Sequence, residues 1–194
     1  MIHIPFHFDK LGYAGLYFSL ALGILGVPIP DEALMTYIGY LIFEGEFKLE
    51  YALVISFLGS ITGMTLSYLI GRGLLGRLAG RLEKKINIAH KYARFQELFD
   101  KYEHAIIIIG YFIPGIRHLS AYSSGFLKTS YFKFITSASI GASLWVTTFI
   151  FLGYYLGHDW RHFMHYTLLY KKYVVLFSLF AAGAAVFLYA RKIK

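Results

Sequence analysis

Apolar residues run along this chain in stretches of two lengths, one sufficient to cross a lipid bilayer and one not. The stretch from Leu11 to Ile29 ends in Pro28-Ile29-Pro30, is followed at once by Asp31 and Glu32, and resumes from Ala33 to Phe43. As a helix, those 11 resumed residues rise only ~16 Å, about half of the ~30 Å hydrocarbon core. Proline lacks the N–H that would continue a helix. The two runs together are therefore predicted to form a hairpin that enters the membrane, breaks at Pro28 to Glu32 and leaves by the same side.

A connector with three acids, Glu44 to Glu50, leads into Tyr51 to Ile70, which reads as a full span. Within it, Gly59-Ser60-Ile61-Thr62-Gly63 has the small-residue spacing that admits a neighbouring helix closely. From Arg72 to His104, eight basic residues alternate with Leu, Ile and Phe, the pattern of an amphipathic helix lying on a membrane surface. The opening order then recurs. Ala105 to Ile113 supplies nine apolar residues, ~14 Å of helix, before Pro114-Gly115-Ile116-Arg117-His118 interrupts it. Small and polar residues from Leu119 to Gly125 return the chain to an interface at Lys128 and Lys133. Phe134 to Leu156 is then a second span, with Ser137 and Gly141 four apart. A polar connector, Gly157 to Lys172, precedes a last span, Tyr173 to Ala190.

The predicted fold is an all-α integral membrane protein forming one polytopic domain over residues 1–194. It is an inverted repeat of a re-entrant helical hairpin plus a transmembrane helix, over residues 11–70 and 105–156. An amphipathic linker helix at 71–104 joins the halves, and a C-terminal transmembrane helix follows at 173–190. Identity between the halves is negligible. The repeat rests on element order and on Pro28 matching Pro114, with one crossing between the copies placing their hairpins on opposite sides.

Composition agrees with a bilayer: 57% of residues are apolar and 15% charged, where a soluble domain carries about 25% charged residues. The 17 Tyr and 18 Phe suit the zone where hydrocarbon meets headgroups. The absence of Cys excludes disulfides, thiolate metal sites and Cys nucleophiles. A formal charge of +8 comes from basic residues that flank apolar spans, so anionic lipid headgroups, not nucleic acid, are the expected partner of the basic face. Asp9 and Lys10 precede the first apolar run without the basic start and cleavage site of a removed signal peptide. Thirteen Lys and Arg fall on the side of the amphipathic segment and five on the other, which predicts a multi-pass cell-membrane protein with a cytoplasmic C-terminus.

Candidate chemistry lies at the two breaks. Asp is a favoured N-cap and acids suit the positive end of a helix, so Asp31 is expected to cap. Glu32 sits further inside an apolar run, where an ionisable group costs at least ~2.5 to 3.5 kcal/mol on insertion scales and needs a partner or water. A functional role is expected for it. Arg117 carries a rigid fork of donors that grips phosphate or carboxylate. Two roles stand open for it: counter-ion to Glu32 or Asp31, and direct contact with a substrate. Histidine is the side chain suited to proton shuttling, which makes His118 a candidate for it, although a bond to a carbonyl is the plainer role at a hairpin tip. Ser120, Ser123 and Ser124 beside Gly125 read as a packing surface. His158 and His162 have the i, i+4 spacing of a metal pair, but no third ligand is evident, and His158 to His165 reads as an interfacial loop. No catalytic residue, metal or cofactor is expected, with coupling to protons left open.

Gly26-Val27-Pro28-Ile29-Pro30-Asp31-Glu32 and Gly110-Tyr111-Phe112-Ile113-Pro114-Gly115-Ile116-Arg117, with Ser124-Gly125 downstream, resemble the two hairpin motifs of DedA membrane proteins. These share their core with lipid scramblases of the VTT-domain type. The resemblance spans roughly residues 11 to 157. It implies opposed re-entrant hairpins and movement of phospholipid or polyprenyl-phosphate headgroups between leaflets, often linked to the proton motive force. Many members of the family carry a Glu five residues before the first proline, where this chain has Gly23, and an Arg three before the second, where it has Tyr111. Joint loss of one acid and one base keeps the site balanced, and shifts the expected substrate from undecaprenyl phosphate towards phosphatidylethanolamine.

The expected function is thus a lipid transporter, a flippase or scramblase, in which Arg117 holds the lipid phosphate and Glu32 contacts the amine or exchanges a proton. Asp31 and His118 complete the expected substrate site. Lipid tails stay in hydrocarbon, so what remains to be lowered is the barrier to headgroup transfer. Two alternatives use the same residues. A proton-coupled carrier of a small cation would bind it at the acids, and a membrane lipid phosphatase would draw on Arg117, His118 and the histidine cluster. The chain lacks a Lys/Arg plus Ser-Gly-His phosphatase framework.

Overall fold

A computed structural model of the chain describes residues 8–27, 30–75, 89–113 and 115–159. Regular structure among them is entirely helical: α1 (Phe8–Ile24), α2 (Asp31–Phe43), α3 (Leu49–Ile70), α4 (Ala89–Gly110), α5 (Ile116–Phe126) and α6 (Tyr131–Leu156). A short π-helical turn, Gly71–Leu75, extends α3. The chain divides into two compact units, Met1–Tyr155 and Leu156–Lys194, and the first carries everything described below. The predicted C-terminal span at 173–190 lies outside the described residues, as do 76–88 of the linker and the histidine cluster beyond Asp159.

Among the described residues, two helices are long and apolar enough to cross a membrane: Leu49–Gly73, 25 residues at mean hydropathy 1.8, and Tyr131–Leu156, 26 residues at 1.6. The 13 residues of α2 and the 11 of α5 rise only ~20 Å and ~17 Å, short of the ~30 Å core. Both short helices follow a proline break, as expected.

The ends of the elements differ from expectation in three places. First, α1 is stopped before its prolines. Gly26 takes φ 103°, its N–H donates to Gly23 O, and Val27 N–H donates to Leu22 O, the paired bonds of a Schellman motif. Glycine reaches that conformation without a Cβ penalty, so the helix ends at Ile24 and not at Ile29. Second, α4 joins the amphipathic stretch to the second apolar run without a break, since neither Pro nor Gly intervenes between Ala89 and Ile109. The run read as a short leg, Ala105 to Ile113, is therefore for the most part the end of one helix of 22 residues. Third, α2 begins at Asp31, with Pro30 in the cap position and no side-chain cap bond. The expected cap role for Asp31 is corrected: its carboxylate is held elsewhere.

Small residues set the packing. On α3, a Cβ added to Gly59 or Gly63 would lie 2.7 Å from the Tyr17 or Ala21 carbonyl of α1, so α1 is seated in this groove. On α6, a Cβ at Gly141 would meet the Tyr111 ring and Ile108 just after and within α4. Each short helix then packs on a long helix distant in sequence. Gly39 of α2 abuts the backbone of Ile150 and Gly153 on α6, and Gly153 in turn abuts Thr36. Gly125 of α5 abuts the backbone of Tyr68 and Arg72, and Gly71 abuts Tyr122. The contacts are reciprocal. They bring the N-termini of α2 and α5 together around a buried core that includes Met35, Ile38, Met64, Tyr111 and Trp145.

Candidate functional site

Arg117, in the first turn of α5, reaches across to the first turn of α2. Its Nη2 donates to Asp31 Oδ2 at 2.8 Å, while Nη1 lies 3.5 Å from Glu32 Oε1. Asp31 and Arg117 are buried, whereas the Glu32 side chain retains 31% of its surface and forms the open edge of the group. Removing an isolated charge from water at this depth is costly, and pairing with its opposite offsets that cost. The closer partner of Arg117 is thus Asp31, the reverse of the emphasis placed on Glu32 by position alone. An acid in the first turn also complements the positive end of α2.

The indole ring of Trp145, on α6, lies under the guanidinium with its centroid 4.4 Å from the central carbon. Gly23, on α1, provides the room for Asp31: a Cβ there would collide with both carboxylate oxygens. By sequence alone Gly23 is the place of a missing acid. Its positive role is to leave the space that the Asp31 carboxylate fills. Gly23→Ala is expected to push that carboxylate off Arg117, lower stability by about 1–3 kcal/mol as in other overpacked sites, and weaken activity. Thermal unfolding in detergent beside a transport assay checks both effects.

The other residues singled out by sequence have structural partners. A bond of 2.8 Å joins His118 Nδ1 to the carbonyl of Ile24, which requires the proton on Nδ1. Ser67 Oγ donates to the same carbonyl at 3.3 Å, and Tyr122 donates to Leu25 O at 3.0 Å. These three side chains satisfy carbonyls that the end of α1 leaves without intrahelical partners. Ser120 and Ser124 donate back to the carbonyls of Arg117 and Ser120, consistent with packing. Tyr111, where an Arg was noted as missing, is buried with its hydroxyl 3.1 Å from Ser60 Oγ. No group of three His, Cys, Asp or Glu that could hold a metal occurs among the described residues.

Trp145 was not singled out from sequence. The signal for it is periodicity: Ser137, Gly141 and Trp145 recur every fourth residue and occupy one face of α6, the face against which α4 and Arg117 pack.

Comparison with known proteins covers the same segment. The VTT domain model matches residues 27–155, which include Asp31, Glu32, Arg117 and Trp145. The membrane protein YbfM of Bacillus subtilis is 38% identical over 153 residues, 75% of this chain and 91% of the relative. Undecaprenyl phosphate transporter A of Bacillus subtilis is 27% identical over 152 residues, 78% of this chain and 75% of the relative. An alkaline phosphatase-like protein of Lactococcus lactis is 28% identical over 159 residues, 79% of this chain and 74% of the relative. No solved structure matches. With a family match that runs from Val27 through both acids, Arg117 and Trp145 to Tyr155, the chain belongs to the VTT-domain (DedA) family of membrane proteins.

Proposed function

We propose that this protein moves phosphate-bearing lipid headgroups between membrane leaflets, with Arg117 receiving the phosphate at the meeting point of the two short helices. The observation that carries the reading is the contact of the buried Arg117 with the buried Asp31 and the half-buried Glu32. Such a site lowers the barrier for a polar headgroup while the tails remain in hydrocarbon. The N-termini of α2 and α5 both face it, and broken helices supply positive ends for anionic groups in transporters of inverted-repeat design. The reciprocal crossing of α2 to α6 and of α5 to α3 supports that design here; the two opposed re-entrant hairpins, several membrane crossings and cytoplasmic C-terminus that complete the proposal rest on run lengths and on the distribution of Lys and Arg.

Charge sets the preferred lipid. One guanidinium facing two carboxylates leaves one negative charge in excess when all three are ionised. Phosphatidylethanolamine matches this set, its phosphate going to Arg117 and its ammonium to the surplus carboxylate. Undecaprenyl phosphate is the second reading, favoured by the relative that bears its name. It brings no ammonium, so a proton on one carboxylate must accompany it, which links transport to protons. Glu32, at the open edge, is placed for that exchange.

The test is reconstitution of the full chain in liposomes with labelled phosphatidylethanolamine or labelled undecaprenyl phosphate in one leaflet. Accelerated exchange of the first lipid is expected, and its loss when Arg117→Ala is combined with Glu32→Gln. Unchanged exchange in that variant would sink the site assignment. Acceleration of undecaprenyl phosphate alone moves the substrate to the second reading, and solute flux without lipid exchange points to a cation carrier. Release of inorganic phosphate from lipid by the purified protein would restore the phosphatase reading.

A further inference from the structure

Five buried side-chain polar atoms among the described residues lack a hydrogen-bond partner, and three belong to Arg117 and the two side chains that touch it: Asp31 Oδ1, Arg117 Nε and Trp145 Nε1. Native proteins pair most of their buried polar groups, and each exception requires a cause. An indole N–H is a donor with no acceptor capacity, and buried tryptophans ordinarily find it a partner. Here Trp145 is fully buried and its ring lies 4.4 Å from the guanidinium carbon, so apolar packing accounts for the ring and leaves the N–H unexplained.

The three atoms specify a ligand type. Two are donors, Arg117 Nε–H and Trp145 Nε1–H, on side chains that touch, and one of those side chains is cationic. The third is a carboxylate oxygen that accepts. A group matching them presents anionic oxygens to the donors and a hydrogen to the acceptor, as a phosphate beside an ammonium or a singly protonated phosphate does.

We propose that Trp145 is a ligand-binding residue: its indole N–H, with Arg117 Nε–H, holds an anionic oxygen of the substrate phosphate, while its ring face keeps the guanidinium in place. The assignment rests on the reading of Arg117 as the phosphate-receiving group. It places a specificity contact on α6, outside both hairpins, so that one of the two long helices reads the headgroup together with α5.

The test uses the full chain in dodecyl maltoside micelles and calorimetric titration with dodecyl phosphate, with inorganic phosphate and dodecanol as parallel arms. Trp145→Phe keeps an aromatic face under Arg117 and removes only the N–H. It is expected to weaken dodecyl phosphate binding about 10-fold to 100-fold, the range of one hydrogen bond to a charged group, with thermal unfolding little changed. A second measurement leaves Trp145 intact. Trp160→Phe makes it the sole tryptophan, since the chain has two, and its emission is expected to shift saturably with dodecyl phosphate and not with dodecanol. Equal weakening toward inorganic phosphate keeps the contact and makes a free anion the ligand. Full binding in Trp145→Phe, with binding lost in Arg117→Ala, overturns the role of Trp145 and leaves the phosphate site standing. Absence of dodecyl phosphate binding to the unaltered protein overturns both.

Discussion

Asp31→Ala is expected to destabilise the protein by about 3–5 kcal/mol, because it leaves Arg117 buried and deprived of its nearest counter-charge. Arg117→Ala should cost a similar amount by stranding Asp31. The pair behaves differently when removed together. Combining Asp31→Ala with Arg117→Met deletes both charges and returns an apolar stem to the space above Trp145. Replacing a buried ion pair with apolar groups is often neutral or stabilising, so the double variant is expected to recover most of the lost stability. It should also be inactive, since the cation that receives the phosphate is gone. Thermal unfolding of the three variants in detergent separates the structural cost of the charges from their use. A double variant no more stable than the singles would mean that the two residues are not coupled as the 2.8 Å contact requires.

The other large effect is expected at the helix crossings. In Gly153→Val and Gly125→Val, the new Cβ would overlap the backbone carbonyls of Thr36 and Tyr68 respectively, not a side chain able to turn aside. Overpacking of a side-chain core costs about 1–3 kcal/mol. Here two helices must separate along their contact, so the expected result is little or no folded protein. Gly73→Ala is the matching control, because nothing lies within 4 Å of a Cβ there. Yield of monodisperse protein after detergent extraction reports the contrast. Normal yield from Gly153→Val would show that α2 and α6 do not pack through this pair.

Run length made the short helix α2 legible in sequence, whereas the nine-residue run from Ala105 is the end of the 22-residue α4, because no Pro or Gly separates it from the polar stretch before it. Ionisable residues beside prolines marked Asp31, Glu32 and Arg117 as the groups needing explanation, and the structure brings them together. Which carboxylate takes the guanidinium was not legible, since both acids lie in the first turn of α2. The choice depends on Gly23, eight positions earlier on another helix, which makes room for Asp31 alone. Proline overshadowed Gly26 as the stop signal for α1, because the Schellman bonds form before the prolines are reached. Trp145 escaped notice because an aromatic residue within an apolar span is ordinary, and only the guanidinium on its face distinguishes it.

The site assignment is tested most directly by one-leaflet lipid exchange in liposomes containing either the unaltered protein or the Asp31→Ala, Arg117→Met variant, each first shown to be folded. Exchange of labelled phosphatidylethanolamine should be fast with the unaltered protein and no faster than in protein-free liposomes with the variant. Equal exchange by the two proteins would contradict the placement of headgroup transfer at the Asp31–Arg117 pair.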